Sequence, residues 1–124
     1  VWINPEDAAA RGITHGDVVK IHNERGVVLA GAYVTERIMP GVAYIDHGAR
    51  YDPIVPGELD RGGAINTITP HNLTSRNATG MVVSSFLVEV ESADMDAIRK
   101  KYPDAFKRKY DSSAGLCFSS WVEK

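Results

Sequence analysis

Alternating apolar and polar positions run through much of the chain and predict strands more often than helices. Val18–Val19–Lys20–Ile21–His22–Asn23 and the run from Val27 to Thr35 read as two strands. In the second, Val28, Ala30, Ala32 and Val34 share one face, and their modest size suits a cramped interior. Glu24–Arg25–Gly26 between them is a tight turn in which the glycine is free to take a positive φ. Val42–Ala43–Tyr44–Ile45–Asp46 predicts a third strand, entered through a Pro40–Gly41 turn. Met81 to Glu91 alternates again, with Val82, Ser84, Phe86, Val88 and Val90 set against Val83, Ser85, Leu87, Glu89 and Glu91.

Two segments depart from the strand period. From Asn4 to Gly12 a capping residue, a first-position proline, the acidic Glu6 and Asp7, three alanines and a terminal glycine spell a short helix. From Asp94 to about Lys101, Met95, Ile98 and Tyr102 fall on one helical face; Pro103 interrupts it, and Phe106 and Tyr110 extend the apolar stripe.

Residues 46–80 follow neither period. They are rich in Gly, Pro, Asn, Thr and Ser, and only Ala64–Ile68 offers a short strand. A segment this long without regular structure is uncommon in a compact domain unless it is functional or disordered. It lacks the charge density of a disordered tail, which makes it an ordered polar binding loop.

Composition narrows the classes. The chain has 124 residues, 44% hydrophobic and 24% charged, the balance of a globular domain with its own core. Fourteen Lys and Arg against 16 Asp and Glu give a net charge of −2, which excludes a broad nucleic-acid surface. One cysteine, Cys117, allows neither an internal disulfide nor a cysteine-based zinc site. No apolar run has the length of a membrane span. A first residue of Val1 in place of methionine, leading straight into ordered sequence, suggests a fragment of a longer protein.

Five ordered pieces carry a resemblance. Asn4-Pro5-x-Asp7-Ala8-Ala9-x-x-Gly12-Ile13-x-x-Gly16-Asp17-x-Val19 is followed by Asn23-x-Arg25-Gly26-x-Val28, and then by Val34-Thr35-x-x-Ile38-x-Pro40-Gly41-Val42. His47-Gly-Ala-Arg50-Tyr51-Asp52-Pro53 comes next, and last Asn66-Thr-Ile-Thr69 with Thr74-Ser75. Together they resemble the C-terminal molybdopterin dinucleotide-binding domain of the dimethyl sulfoxide reductase family of molybdenum and tungsten enzymes, over roughly Ile3 to Val90. Ile68 stands where leucine is commoner, and His71 where the reductase branch has an acidic residue. The branch therefore stays open among trimethylamine N-oxide or dimethyl sulfoxide reductases, a phenol hydroxyl-transferring enzyme and hydratases. Tyr102–Lys124 has no counterpart in the pattern.

The resemblance implies a mainly β fold, a six-stranded double-psi β-barrel with short flanking helices. Residues 1–92 would form the cofactor-binding barrel and 93–124 a C-terminal helix and tail. It implies bis(molybdopterin guanine dinucleotide) carrying molybdenum or tungsten, bound by His47, Arg50, Tyr51, Asp52, Asn66, Thr69, His71, Asn72, Thr74, Ser75 and Arg76. Amides suit pterin and guanine edges, while hydroxyls and arginine suit phosphates. The same Asn, Ser and Thr residues are equally able to satisfy their own loop backbone. The protein ligand to the metal would lie on another domain, so this chain would not turn over substrate alone. Implied partners are the upstream domains of the parent chain and an iron–sulfur or cytochrome electron-transfer subunit, with no nucleic acid and no membrane insertion; the compartment is periplasmic or cytoplasmic. The rival from another class is a stand-alone double-psi module that binds a substrate or a protein without cofactor. A self-cleaving decarboxylase of the same barrel type would need a Gly-Ser bond, and the sequence has none.

Overall fold

The computed structural model describes residues 1–81, 86–107, 109–111 and 116–118, with backbone alone at 74, 78–81, 109–111 and 116–118. It divides into two compact units, Val1–Ala93 and Asp94–Lys124. The first unit is mainly β. Strand β1 (Trp2–Ile3) leads into helix α1 (Pro5–Ala10), followed by β2 (Val18–Asn23), β3 (Gly26–Gly31), β4 (Tyr33–Val34) and β5 (Ala43–Tyr44). Then come β6 (Pro53–Val55), β7 (Leu59–Asp60), a 3₁₀ turn at Ile65–Thr67, β8 (Leu73–Ser75), β9 (Ala78–Met81) and β10 (Glu89–Ser92).

Helix α1 forms as its sequence dictates. The Asn4 side-chain oxygen accepts the Glu6 N–H at 2.9 Å, and Pro5 occupies the first turn. Gly12 closes the helix at φ 62°, the left-handed region that a side chain resists. Asn4 is nearly buried, and its amide also donates to the Ile38 carbonyl at 2.7 Å. Asp7 accepts the Gly41 N–H at 2.7 Å, so the helix pins the Pro40–Gly41 turn, where Gly41 has φ 79°.

Strands β2 and β3 form the expected hairpin, in register from Val18↔Gly31 to Asn23↔Gly26. Gly26 does not take a positive φ, contrary to expectation. It is needed for space: a Cβ there would stand 2.9 Å from Thr67 Cγ2 and 3.1 Å from the Thr67 carbonyl oxygen. The single strand expected from Val27 to Thr35 is two. At Ala32 the chain leaves β2; Ala32 N–H donates to the Asp17 carbonyl, Tyr33 N–H donates to the Val1 carbonyl, and β4 pairs parallel to β1. The resulting sheets have the orders β4-β1-β5 and β10-β2-β3-β7-β6, with β8–β9 a separate hairpin.

Ile3, Ala8, Ile13, Val19, Ile21, Val28, Ala32, Ile68 and Val90 make the core. The expected inward face of β3–β4 lies on it: Val28 and Ala32 are buried, and Ala30 and Val34 pack against it. Leu29 on the opposite face is buried too. The third strand is shorter than expected, Ala43–Tyr44 only. Ala64–Ile68 is no strand; Ile65–Thr67 is the 3₁₀ turn, and Ile68 follows it into the core. The strand expected from Met81 to Glu91 is discontinuous: β9 ends at Met81, 82–85 lie outside the described residues, and 86–88 have no regular structure.

Strand β10 is tied to the first part of the chain by charge. Arg11 Nε donates to Glu89 at 2.7 Å, Lys20 lies 3.1 Å from Glu91, and His22 lies 3.3 Å from the same carboxylate. The Arg11 hydrogen bond, then the Val90 N–H, hold Glu89 below the usual carboxylate range; Lys20 and then His22 do so for Glu91. A folded-state pKa below the unfolded one adds stability above the ordinary carboxylate range, and that stability is lost as pH falls through the depressed value. Glu89→Gln is therefore expected to melt below the parent at about pH 7, with the gap closing as pH falls through the depressed Glu89 value. A gap in melting temperature that persists in acid would contradict the assignment.

In the second unit, Asp94 caps helix α2 (Met95–Lys101) by accepting the Ala97 N–H at 2.9 Å, and Arg99, Lys100 and Lys101 fill its last turn. Met95, Ile98, Tyr102 and Phe106 are half-buried, as their spacing predicts. Pro103 opens a second 3₁₀ turn, Pro103–Phe106. Tyr110, expected to extend the helical stripe, belongs instead to β11 (Lys109–Asp111), which pairs antiparallel with β12 (Leu116–Phe118). Residues 112–115 and 119–124 of the expected docking tail lie outside the described residues. No helix among the described residues is long and apolar enough to cross a membrane.

Candidate functional site

The segment 46–80 is not structureless. Val55–Pro56–Gly57–Glu58 makes a tight turn, with Glu58 N–H donating to the Val55 carbonyl and Gly57 at φ 76°. It joins β6 to β7, and β7 pairs parallel to β3. Ile54, Ala64 and Ile68 are buried and anchor the segment; of its polar residues Asp60, Arg61 and Thr69 are buried with them.

This arrangement encloses an open cavity of about 660 Å³. Two chain segments contribute its walls, Ala49, Tyr51 and Gly57 from one and Ala64, Asn66, Thr67, Thr69 and His71 from the other; Arg25 comes from the tip of the β2–β3 hairpin. Gly57 N–H donates to the Tyr51 hydroxyl oxygen at 2.7 Å, which fixes the phenol and leaves its own O–H to donate. Thr69 N–H donates to the Ile65 carbonyl at 3.2 Å, and its hydroxyl to the Asn66 carbonyl at 3.4 Å. Asn66 is exposed, and its side-chain amide has no hydrogen-bond partner among the described residues. Such an amide in a concave wall offers two donors and an acceptor to the edge of a heterocycle. Among the described residues no group of three or more His, Cys, Asp or Glu is placed to hold a metal ion.

Four of the eleven expected site residues therefore share one cavity: Tyr51, Asn66, Thr69 and His71. His47 lines a smaller cavity of about 210 Å³ with Tyr44, Ile65 and Ile68. There the Tyr44 hydroxyl donates to Asp46, and that bond raises the phenol pKa above its usual value. Arg50 is exposed. Asn72, Ser75 and Arg76 are exposed on and beside the β8–β9 hairpin, where the Ser75 hydroxyl accepts the Asn77 N–H at 3.3 Å. The backbone of Thr74 lies in β8, and its side chain lies outside the described residues.

Asp52 belongs to a network that the sequence reading missed. Its carboxylate takes a forked pair from Arg61, Nε to Oδ2 at 2.8 Å and Nη2 to Oδ1 at 3.2 Å. Next to it Asp60 is fully buried and accepts two backbone N–H groups, from Asp52 through Oδ1 and from Ala64 through Oδ2, each at 2.7 Å. A buried carboxylate is tolerated only when so satisfied. Nothing in a linear Leu-Asp-Arg-Gly-Gly string marks the aspartate as buried. The missed turn did have a signal: Pro56–Gly57 repeats the Pro40–Gly41 pair already read as a turn.

Residues 1–85 match the family model described as molydopterin dinucleotide binding domain. The trimethylamine-N-oxide reductase of Haemophilus influenzae is 47% identical over 95 residues, which is 73% of this chain and 12% of that protein. Trimethylamine-N-oxide reductase 1 of Escherichia coli K12 is 50% identical over 94 residues, 73% of this chain and 11% of the relative. The dimethyl sulfoxide/trimethylamine N-oxide reductase of Rhodobacter capsulatus is 46% identical over 92 residues, 72% of this chain and 11% of the relative. The chain thus spans little more than a tenth of the length of these relatives.

Proposed function

The chain belongs to the molydopterin dinucleotide binding domain family, and on that premise we propose that it holds part of a bis(molybdopterin guanine dinucleotide) cofactor within a larger molybdenum or tungsten oxidoreductase. The observation that carries this reading is the cavity that gathers Tyr51, Asn66, Thr69 and His71 beside Arg25. Its donor set fits the group: a neutral amide, a phenol and an imidazole for ring edges, and a guanidinium for a phosphate. His47, Arg50, Asn72, Thr74, Ser75 and Arg76 extend the same site along the segment from 47 to 76, and Asp52 serves it through Arg61. When bound, the cofactor supplies two-electron oxygen-atom or hydroxyl transfer at its metal; the residues of this chain bind and orient it. The names of the relatives favour N-oxide or S-oxide reduction for the parent enzyme. Its other domains, which would supply the metal ligand, and an iron–sulfur or cytochrome subunit are the natural partners. The family match favours this reading over a cofactor-free binding module.

The finer architecture follows the same reading. Parallel pairs β1–β4 and β3–β7 set among antiparallel ones support a six-stranded double-psi barrel as the frame of the site. Residues 1–92 form the cofactor module, and 93–124 a separate helix and tail.

In the full-length parent, Asn66→Ala is expected to weaken cofactor retention. Losing a hydrogen bond in a shielded site and leaving its partner unmet costs about 1–3 kcal/mol. Affinity should then fall roughly 5- to 150-fold. Lys100→Ala, at an exposed position of α2, should leave both retention and stability unchanged within about 0.5 kcal/mol. Metal and guanine-nucleotide content after dialysis, read beside the melting temperature, decides the matter. A full cofactor load in Asn66→Ala would remove the assigned role.

A further inference from the structure

We propose that Asp60, together with Arg61, is a positioning residue that sets the gap between the two walls of the cavity, and with it cofactor affinity. The inference rests on the cofactor reading above. Asp60 does not line the cavity, yet each of its carboxylate oxygens holds a different wall. Oδ1 accepts the N–H of Asp52, the residue after Tyr51. Oδ2 accepts the N–H of Ala64, itself a lining residue and two positions before Asn66. A single buried carboxylate therefore joins two of the chain segments that line the cavity.

Three further observations point the same way. The fork from Arg61 to the Asp52 carboxylate fixes orientation as well as distance. Arg61 N–H donates to the Asp52 carbonyl at 3.1 Å, so the two segments also join through backbone. Gly62 lets them touch, since a Cβ there would lie 2.0 Å from the Arg50 carbonyl oxygen. An apolar side chain here would avoid the cost of burying a carboxylate but would leave both N–H groups without an acceptor. What the carboxylate adds is two directed acceptors that hold the walls at one separation before the ligand arrives, and preorganisation of that kind raises affinity.

The test uses the full-length polypeptide that carries this domain, isolated with its cofactor. Asp60→Asn keeps the volume but must turn an NH₂ toward one of the two N–H groups, which releases one wall. Its cofactor should dissociate about tenfold faster, read as molybdenum and guanine nucleotide lost on dialysis well below the melting temperature. Hydrogen exchange should quicken at the amide of Asp52 or Ala64. Ile13→Val, in the core and away from the cavity, supplies a destabilised control that should keep its cofactor. Arg61→Lys keeps the charge without the fork and should also shed cofactor faster than Ile13→Val; it carries the test if Asp60→Asn does not fold. Loss that merely tracks melting temperature across the three variants overturns the proposal. So does full retention in Asp60→Asn while Asn66→Ala loses its cofactor. Retention in Asn66→Ala as well would remove the role assigned to Asn66, and this inference with it.

Discussion

Gly62→Ala is expected to destabilise the protein by about 3 kcal/mol or more, the upper end for overpacking. The added methyl would meet the Arg50 carbonyl oxygen at 2.0 Å and the Asp52 nitrogen at 3.0 Å. Both are backbone atoms, so no side-chain rotation relieves the clash and the 50–52 segment must move. Moving it breaks the Asp52 N–H bond to Asp60 and the Arg61 N–H bond to the Asp52 carbonyl. Gly31→Ala makes the contrast: nothing lies within 4 Å of its Cβ, and it should stay within about 0.5 kcal/mol of the parent. Denaturant midpoints at constant slope measure both. Equal midpoints for the two variants would mean that the crossing of 50–52 over 61–62 is not as close as described.

Asp60→Ala should be of similar or greater effect, about 3–5 kcal/mol. It removes the acceptor of two buried N–H groups at once, each worth about 1–3 kcal/mol when left unmet. It also opens a void beside the Arg61–Asp52 pair. Against a typical domain stability of about 5–15 kcal/mol this is a large share, and partial unfolding at physiological temperature is the expected result. Asp60→Asn should lie between the parent and Asp60→Ala, since it keeps one acceptor. A loss below about 1 kcal/mol for Asp60→Ala would show that water or a neighbouring group replaces the carboxylate.

These two positions show where sequence reading stops. Sequence signals specify structure wherever the physics is local. Asn4, Pro5 and Gly12 specify α1 because capping and left-handed termination involve atoms a few residues apart. The β2–β3 hairpin, the Pro40–Gly41 turn and the start of α2 near Asp94 follow for the same reason. The inward face of β3–β4 was legible from its period of two. The ordered motifs also led to the family, which the match over residues 1–85 shows.

Position in space was a different matter. Val27 to Thr35 alternates without interruption, yet at Ala32 the chain changes partner from β2 to β1; alternation records which face is buried and not which strand is adjacent. Gly26 in its turn signals backbone freedom, yet the position needs glycine because Thr67, far away in sequence, comes to 2.9 Å from where a Cβ would be. Tyr51, Asn66, Thr69 and His71 stand in separate motifs of the sequence; that they share a cavity with Arg25 depends on β7 docking beside β3. Asp52, Asp60 and Arg50 are all charged residues in one polar segment, and nothing in their types says which is paired, buried or exposed. Folding pairs the first with Arg61, buries the second between two N–H groups and leaves the third exposed, because burial and pairing belong to the assembled chain. The sequence by itself therefore determined the short elements, their caps and the kind of ligand the polar segment suits. Only the tertiary structure decided which of its side chains line one cavity and which are buried or paired beside it, since those placements arise from contacts between segments distant in the chain.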